Sequence, residues 1–83
     1  MNKLKPIRLT EHARFRMMRY QISEEEVTAC LRNPDKVVGG YKGRKIAHKV
    51  KNRYVIRVIY EENELITVVT VYLAWKCRYE KGA

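Results

Sequence analysis

The spacing of hydrophobic and polar residues changes character at Asn33-Pro34. Before it, apolar residues recur at helical intervals; after it, they alternate or run together in short stretches. Thr10 precedes residues 11–20, a stretch free of Gly and Pro, and its hydroxyl can accept a bond from an unpaired N–H of a first helical turn. Glu11 suits the positive end of that dipole, so a first helix is expected over residues 10–20. Ser23-Glu24-Glu25-Glu26 has the form of a capping box, Ser at the cap and Glu three residues on, and Ile22 before it is placed to staple onto Val27. A second helix follows, with Val27, Cys30 and Leu31 as its apolar stripe. Asn33-Pro34 ends it, because the residue before proline is pushed out of the α region.

Beyond Pro34 the period falls to two. Residues 36–38 form a strand candidate closed by Gly39-Gly40, and residues 45–50 form another, with Lys51-Asn52 as a tight turn into residues 54–60. Residues 61–64 supply the next turn and residues 65–75 a long final strand. Short turns imply an antiparallel meander of three to four strands. Alternation sends Tyr54, Ile56, Val58 and Tyr60 one way and Val55, Arg57 and Ile59 the other. In the last strand Val69, Val71, Leu73 and Trp75 are expected under the helices, leaving Thr70, Tyr72, Ala74 and Lys76 with Arg57 on an open face. The expected fold is α+β: two N-terminal helices on a twisted antiparallel sheet, one domain over residues 1–83.

Length and charge sharpen this picture. A chain of 83 residues has room for one modest core, and 46% hydrophobic content is enough to fill it, which argues against disorder. The net charge is +9, unevenly spread. Residues 36–57 hold eight cations and no acid, and residues 1–20 hold six cations against Glu11, while acids gather at residues 24–26 and 61–64. Such a field draws polyanions through counterion release, so RNA is the expected partner; a merely solvated basic surface is the alternative. No apolar run approaches the roughly 18 residues that cross a membrane, and residues 1–8 are too polar for a signal peptide, so a cytoplasmic location without membrane contact is expected. Cys30 and Cys77 form no CxxC pair and are expected to be free thiols, with a disulfide between the two halves as the alternative.

Several side chains have chemistry suited to a phosphate. His12, Arg16 and Arg19 fall within about 60° on one helical face, where guanidiniums bind oxygens and an imidazole transfers a proton near neutral pH. The same histidine serves equally well as a packing or capping residue near a helix start. His48 lies mid-strand in the basic tract and is expected to be exposed. Tyr72 and Tyr79 suit base stacking or ordinary packing, and Trp75-Lys76-Cys77-Arg78-Tyr79 mixes aromatic and cationic groups as single-strand binders do. No paired-carboxylate site or metal-ligand spacing is present, the acids lying in runs that read as exposed, and no cofactor is expected. Gly39-Gly40-Tyr41-Lys42-Gly43 has neither the GxGxxG nor the GxxxxGK[ST] spacing and reads as a basic loop.

His12-Ala13, Arg16-Met17, Ile22-Ser23, Glu25-Glu26-Val27, Leu31, Asn33-Pro34 and the run from Val68 through Val69, Thr70 and Val71 to Tyr72 occur in a familiar order. The chain resembles an uncharacterised family of small prokaryotic proteins grouped with the RelE/ParE toxin superfamily and similar to BrnT toxins. The likeness spans residues 9–75, with HAxxRM in the first helix as its most specific part. Relatives often carry Arg-Gly before the Ile-Ser; Tyr20-Gln21 stand there in this chain. The resemblance implies two N-terminal helices on a twisted antiparallel sheet. For RelE-like members it implies metal-independent cleavage of messenger RNA on the ribosome, with an acidic antitoxin as partner. ParE-like members instead act on gyrase.

Cleavage of this kind needs a 2′-hydroxyl activated for in-line attack, a neutralised phosphate and a protonated 5′-oxygen. The expected assignment gives His12 proton transfer, Arg16 and Arg57 the phosphate, and Tyr72 and Lys76 substrate positioning or leaving-group stabilisation. Arg19, Arg44, Lys45, His48, Lys49, Lys51, Arg53, Arg78 and Tyr79 are expected to hold the nucleic acid. A noncatalytic RNA-binding or ribosome-associated module and a protein-binding toxin are the alternatives.

Overall fold

A computed structural model describes residues 5–75, apart from the side chains of Tyr41 and Trp75. Strand β1 (Ile7–Leu9) leads into α1 (Glu11–Tyr20) and α2 (Glu24–Arg32). Then come β2 (Lys36–Gly39), a 3-10 turn (Tyr41–Gly43), β3 (Lys45–Lys51), β4 (Tyr54–Glu62) and β5 (Ile66–Trp75). Among the described residues no helix is long and apolar enough to cross a membrane.

Both helix starts are capped by side chains. Thr10 Oγ1 accepts from Ala13 N at 3.1 Å, and it also donates to Val68 O at 2.9 Å, which fastens the start of α1 to β5. Ser23 Oγ accepts from Glu26 N at 3.1 Å while Glu26 Oε1 accepts from Ser23 N at 2.9 Å, so the capping box is closed in both directions. Gln21 ends α1 in the left-handed region at φ 56°, a conformation that glycine adopts more readily than a residue with a side chain.

The sheet is mixed and has the order β1-β5-β4-β3-β2. Among the described residues it therefore holds five strands rather than three to four, and the helices lie between β1 and β2 rather than at the N-terminus. The added strand, β1, runs parallel to β5 with Ile7 opposite Ile66. Three residues are too few to display a period, and the partner lies at the other end of the chain, so no local pattern announces this strand. The remaining pairs are antiparallel. The β3–β4 turn is Asn52-Arg53, one residue later than Lys51-Asn52, with Asn52 at φ 57°. Glu61 and Glu62 belong to β4 rather than to the following turn.

On β5, Thr70 is opposite Ile59 whereas Val68 is opposite Tyr60, so Val69 is an extra residue, a β-bulge. Val68 and Val71 can both face the helices as a result. Strict alternation back from Val71 predicts Val69 there; Ile66 and Val68 occupy the core instead, both essentially inaccessible to solvent. Ala13 and Met17 of α1 and Val27, Cys30 and Leu31 of α2 pack on that side with Ile56, Val58 and Val71. Cys30 is a free thiol donating to Ala47 O at 3.4 Å, and burial pushes its pKa up to about 12. It is held as an inert core thiol.

Candidate nucleic-acid interface

Residues alternating with the core strands point away from the helices. Along one line across four strands, Lys36 of β2 is opposite His48 of β3, His48 opposite Arg57 of β4, and Arg57 opposite Tyr72 of β5. Directly opposed residues share a face and lie within side-chain reach, so these four form a transverse polar row. The Arg57 guanidinium lies 5.6 Å from the Tyr72 ring centroid, a cation–π distance. His48 is only 8% exposed, contrary to the expectation of an exposed strand residue. Its burial, then the neighbouring Arg57 and Lys36 charges, hold its pKa below the ordinary histidine value. The imidazole is accordingly neutral at pH 7.

Beside this row the sheet carries a cavity of about 280 Å³. Ile46, Ile59 and Val69 supply apolar wall, and Arg44, Arg57, Thr70 and Tyr72 supply polar groups. Thr70 is 7% exposed, and its hydroxyl has no hydrogen-bond partner among the described residues. Gly40 closes one end, its N–H donating to Arg44 O at 2.6 Å. A Cβ at Gly40 would stand 3.0 Å from that oxygen, a tight contact that the Arg44 carbonyl has to relieve by giving way a few tenths of an ångström. Arg44 Nε also meets Glu61 Oε2 at 3.0 Å, with both side chains well exposed, an ion pair of small energy that an arriving phosphate can replace.

The expected site residues divide between the two sides of the sheet. Arg57, Tyr72 and Arg44 line the cavity on the second face, while His48 lies on that face beside Arg57 but is not part of the cavity wall. His12, Arg16 and Arg19 belong to α1 on the helix side and contribute nothing to the cavity wall. Arg16 donates to the Tyr20 hydroxyl at 3.5 Å within its own helix, while His12 and Arg19 are exposed. Lys45, Lys49 and Lys51 alternate with His48 and so belong to the helix side as well. Arg53 lies in the exposed β3–β4 turn. Lys76, Arg78 and Tyr79 lie outside the described residues.

Folding also dilutes the acid-free tract. Lys45 meets Glu62, Lys51 meets Glu26 and Arg44 meets Glu61, so acids from α2 and β4 neutralise cations that stand alone in the sequence. Glu62 is not an exposed turn residue: its side chain is 9% exposed between Lys5 at 3.0 Å and Lys45 at 3.5 Å. Hydrogen bonding to Lys5 lowers its pKa, as Lys51 lowers that of Glu26. Lys49 is taken up by Asn33 O at 2.9 Å.

Residues 9–73 match a family described as a domain of unknown function, DUF4258. The chain belongs to that family. The matched span takes in every residue of the cavity and of the polar row, so both are part of the DUF4258 domain itself. No curated protein and no solved structure matches the chain. Among the described residues no three His, Cys, Asp or Glu side chains are grouped to hold a metal ion.

The partnership of His48 with Arg57 and the apolar wall of Ile46, Ile59 and Val69 emerge only with the strand register. The signal for the first was present in the turn. A Lys51-Asn52 turn sets Arg57 opposite Ile46, whereas Asn52-Arg53 sets it opposite His48; asparagine, which tolerates positive φ, favours the latter as the first turn residue. Val69 depends on the bulge, which no local pattern marks.

Proposed function

We propose that this domain binds RNA at the cavity on its second sheet face, with Arg57 and Arg44 holding the phosphodiester. The observation that carries the reading is the meeting of two guanidiniums, a tyrosine and apolar wall in one concave site on a protein of net charge +9. Paired surface cations elsewhere add a diffuse field but no such convergence. The test is affinity for single-stranded RNA against salt. It should fall with a log–log slope of about −0.7 per phosphate contacted, and Arg57→Ala should flatten that slope by about one contact. Salt-independent binding, or an Arg57→Ala variant indistinguishable from wild type, defeats the proposal.

Metal-independent cleavage is the second reading, and the neutral His48 on one side of Arg57 with Tyr72 on the other favours it. In that reaction the 2′-oxygen attacks phosphorus and its proton passes to His48. The P–O5′ bond breaks, Tyr72 protonates the departing 5′-oxygen, and a 2′,3′-cyclic phosphate remains. Proton transfer, first assigned to His12, passes to His48 in this reading. RNA incubated without added metal should yield the cyclic phosphate, and His48→Ala should reduce the rate by about 10²-fold or more. The RelE/ParE resemblance extends the proposal to cytoplasmic messenger RNA on the ribosome and to an acidic antitoxin. Toxicity on expression, relieved by the product of an adjacent reading frame, tests that extension.

A further inference from the structure

The cavity has more apolar wall than a phosphate alone can use. Ile46, Ile59 and Val69 offer nothing to an anion, yet they line the same space as the Arg57 and Tyr72 groups. Thr70 adds a sharper constraint. Its hydroxyl oxygen is shielded from solvent and has no hydrogen-bond partner among the described residues, which is costly unless something else meets it. An apolar slot with one unsatisfied polar atom and a cation–aromatic pair beside it has the chemistry of an unstacked nucleobase site. Flat faces pack on the aliphatic wall, an edge atom meets the hydroxyl once rotation about χ1 turns it from its shielded position into the slot, and the attached phosphate reaches the guanidiniums. The volume, about 280 Å³, is at the small end for ligand sites and suits one nucleotide rather than several.

Resting on the RNA-binding reading, we infer that this cavity is a single-base subsite and that Thr70 is its specificity-determining residue. A hydroxyl both donates and accepts, so the preference it imposes depends on which base edge reaches it in the fixed slot.

The test titrates the four ribonucleoside 3′,5′-bisphosphates into the protein at low salt, followed by NMR. Wild type should bind one or two of the four about tenfold more tightly than the others, as a single base-edge hydrogen bond discriminates. Thr70→Val, which keeps the shape and the β-branch, should level the four, and Thr70→Ser should keep their ranking. Equal binding of all four by wild type, binding of none, or an unchanged ranking in Thr70→Val overturns the inference. Failure of the parent reading looks different: wild type would then not bind single-stranded RNA, or would bind it independently of Arg57. A protein that binds RNA through Arg57 but ranks the bisphosphates equally retains the first proposal and loses this one.

Discussion

Ile56 and Arg57 are neighbours in β4, yet they belong to different environments. Ile56 is 2% exposed in a core that two capped helices hold against the sheet, with Val58 and Val71 beside it. Arg57 projects from the other side, between His48 and Tyr72, into a face carrying a cavity and a buried unsatisfied hydroxyl. One face concentrates most of the favourable burial of apolar surface; the other, though it buries Val55, retains polar groups whose desolvation works against folding. The contrast teaches that stability and binding are divided by the pleat of the strand, so substitutions one residue apart should have separable effects.

The largest expected effect breaks the core face. Ile56→Ala should cost about 3 kcal/mol in urea unfolding, through lost burial and a residual cavity. Arg57→Ala should leave the midpoint nearly unchanged while weakening single-stranded RNA binding by about tenfold, close to 1.4 kcal/mol. If both variants unfold alike, the division between faces is wrong. Ser23→Ala probes the helix layer alone: loss of the acceptor for Glu26 N should cost about 1 kcal/mol without touching RNA affinity. Gln21→Gly should raise stability by about 0.5–1 kcal/mol, because glycine relieves the left-handed backbone at φ 56° at some entropic cost. A destabilised Gln21→Gly protein would show that the glutamine side chain contributes more than its backbone costs.

The smallest expected effect is a pH dependence on the second face. Burial lowers the folded pKa of His48, so as pH falls below about 6.5 the unfolded chain takes up a proton that the folded chain refuses. Stability should therefore decline on acidification through that range, until the folded histidine also protonates. Denaturation midpoints at about pH 7.5 and 5.5 should differ less in His48→Gln than in wild type. Equal differences in the two proteins would assign the titration elsewhere.

Much of this was legible in the sequence where information is local. Thr10, the Ser23 to Glu26 box and the Asn33-Pro34 stop mark helix ends because capping is decided within four residues. Alternation around Arg57 placed it opposite the core side for the same reason. What was hidden depended on distant pairing: β1, recruited by β5; the acids that neutralise Lys45 and Lys51; and the burial of His48. A 22-residue stretch without acids describes the sequence, whereas an electric field depends on what the fold brings near it. Lys76, Arg78 and Tyr79 lie beyond the described residues.

The bulge at Val69 gives the cavity an unusual dependence on chain length. Because strand residues normally alternate, a pocket on one face draws on every second position; here Val69 and Thr70, consecutive in sequence, both line it. Deleting Val69 would restore regular pairing and leave Val68 and Val71 facing the helices as before, so the core would keep its composition while the recess lost a wall. Insertion or deletion at this position is thus a way for related sequences to open, reshape or abolish the recess without redesigning the fold around it.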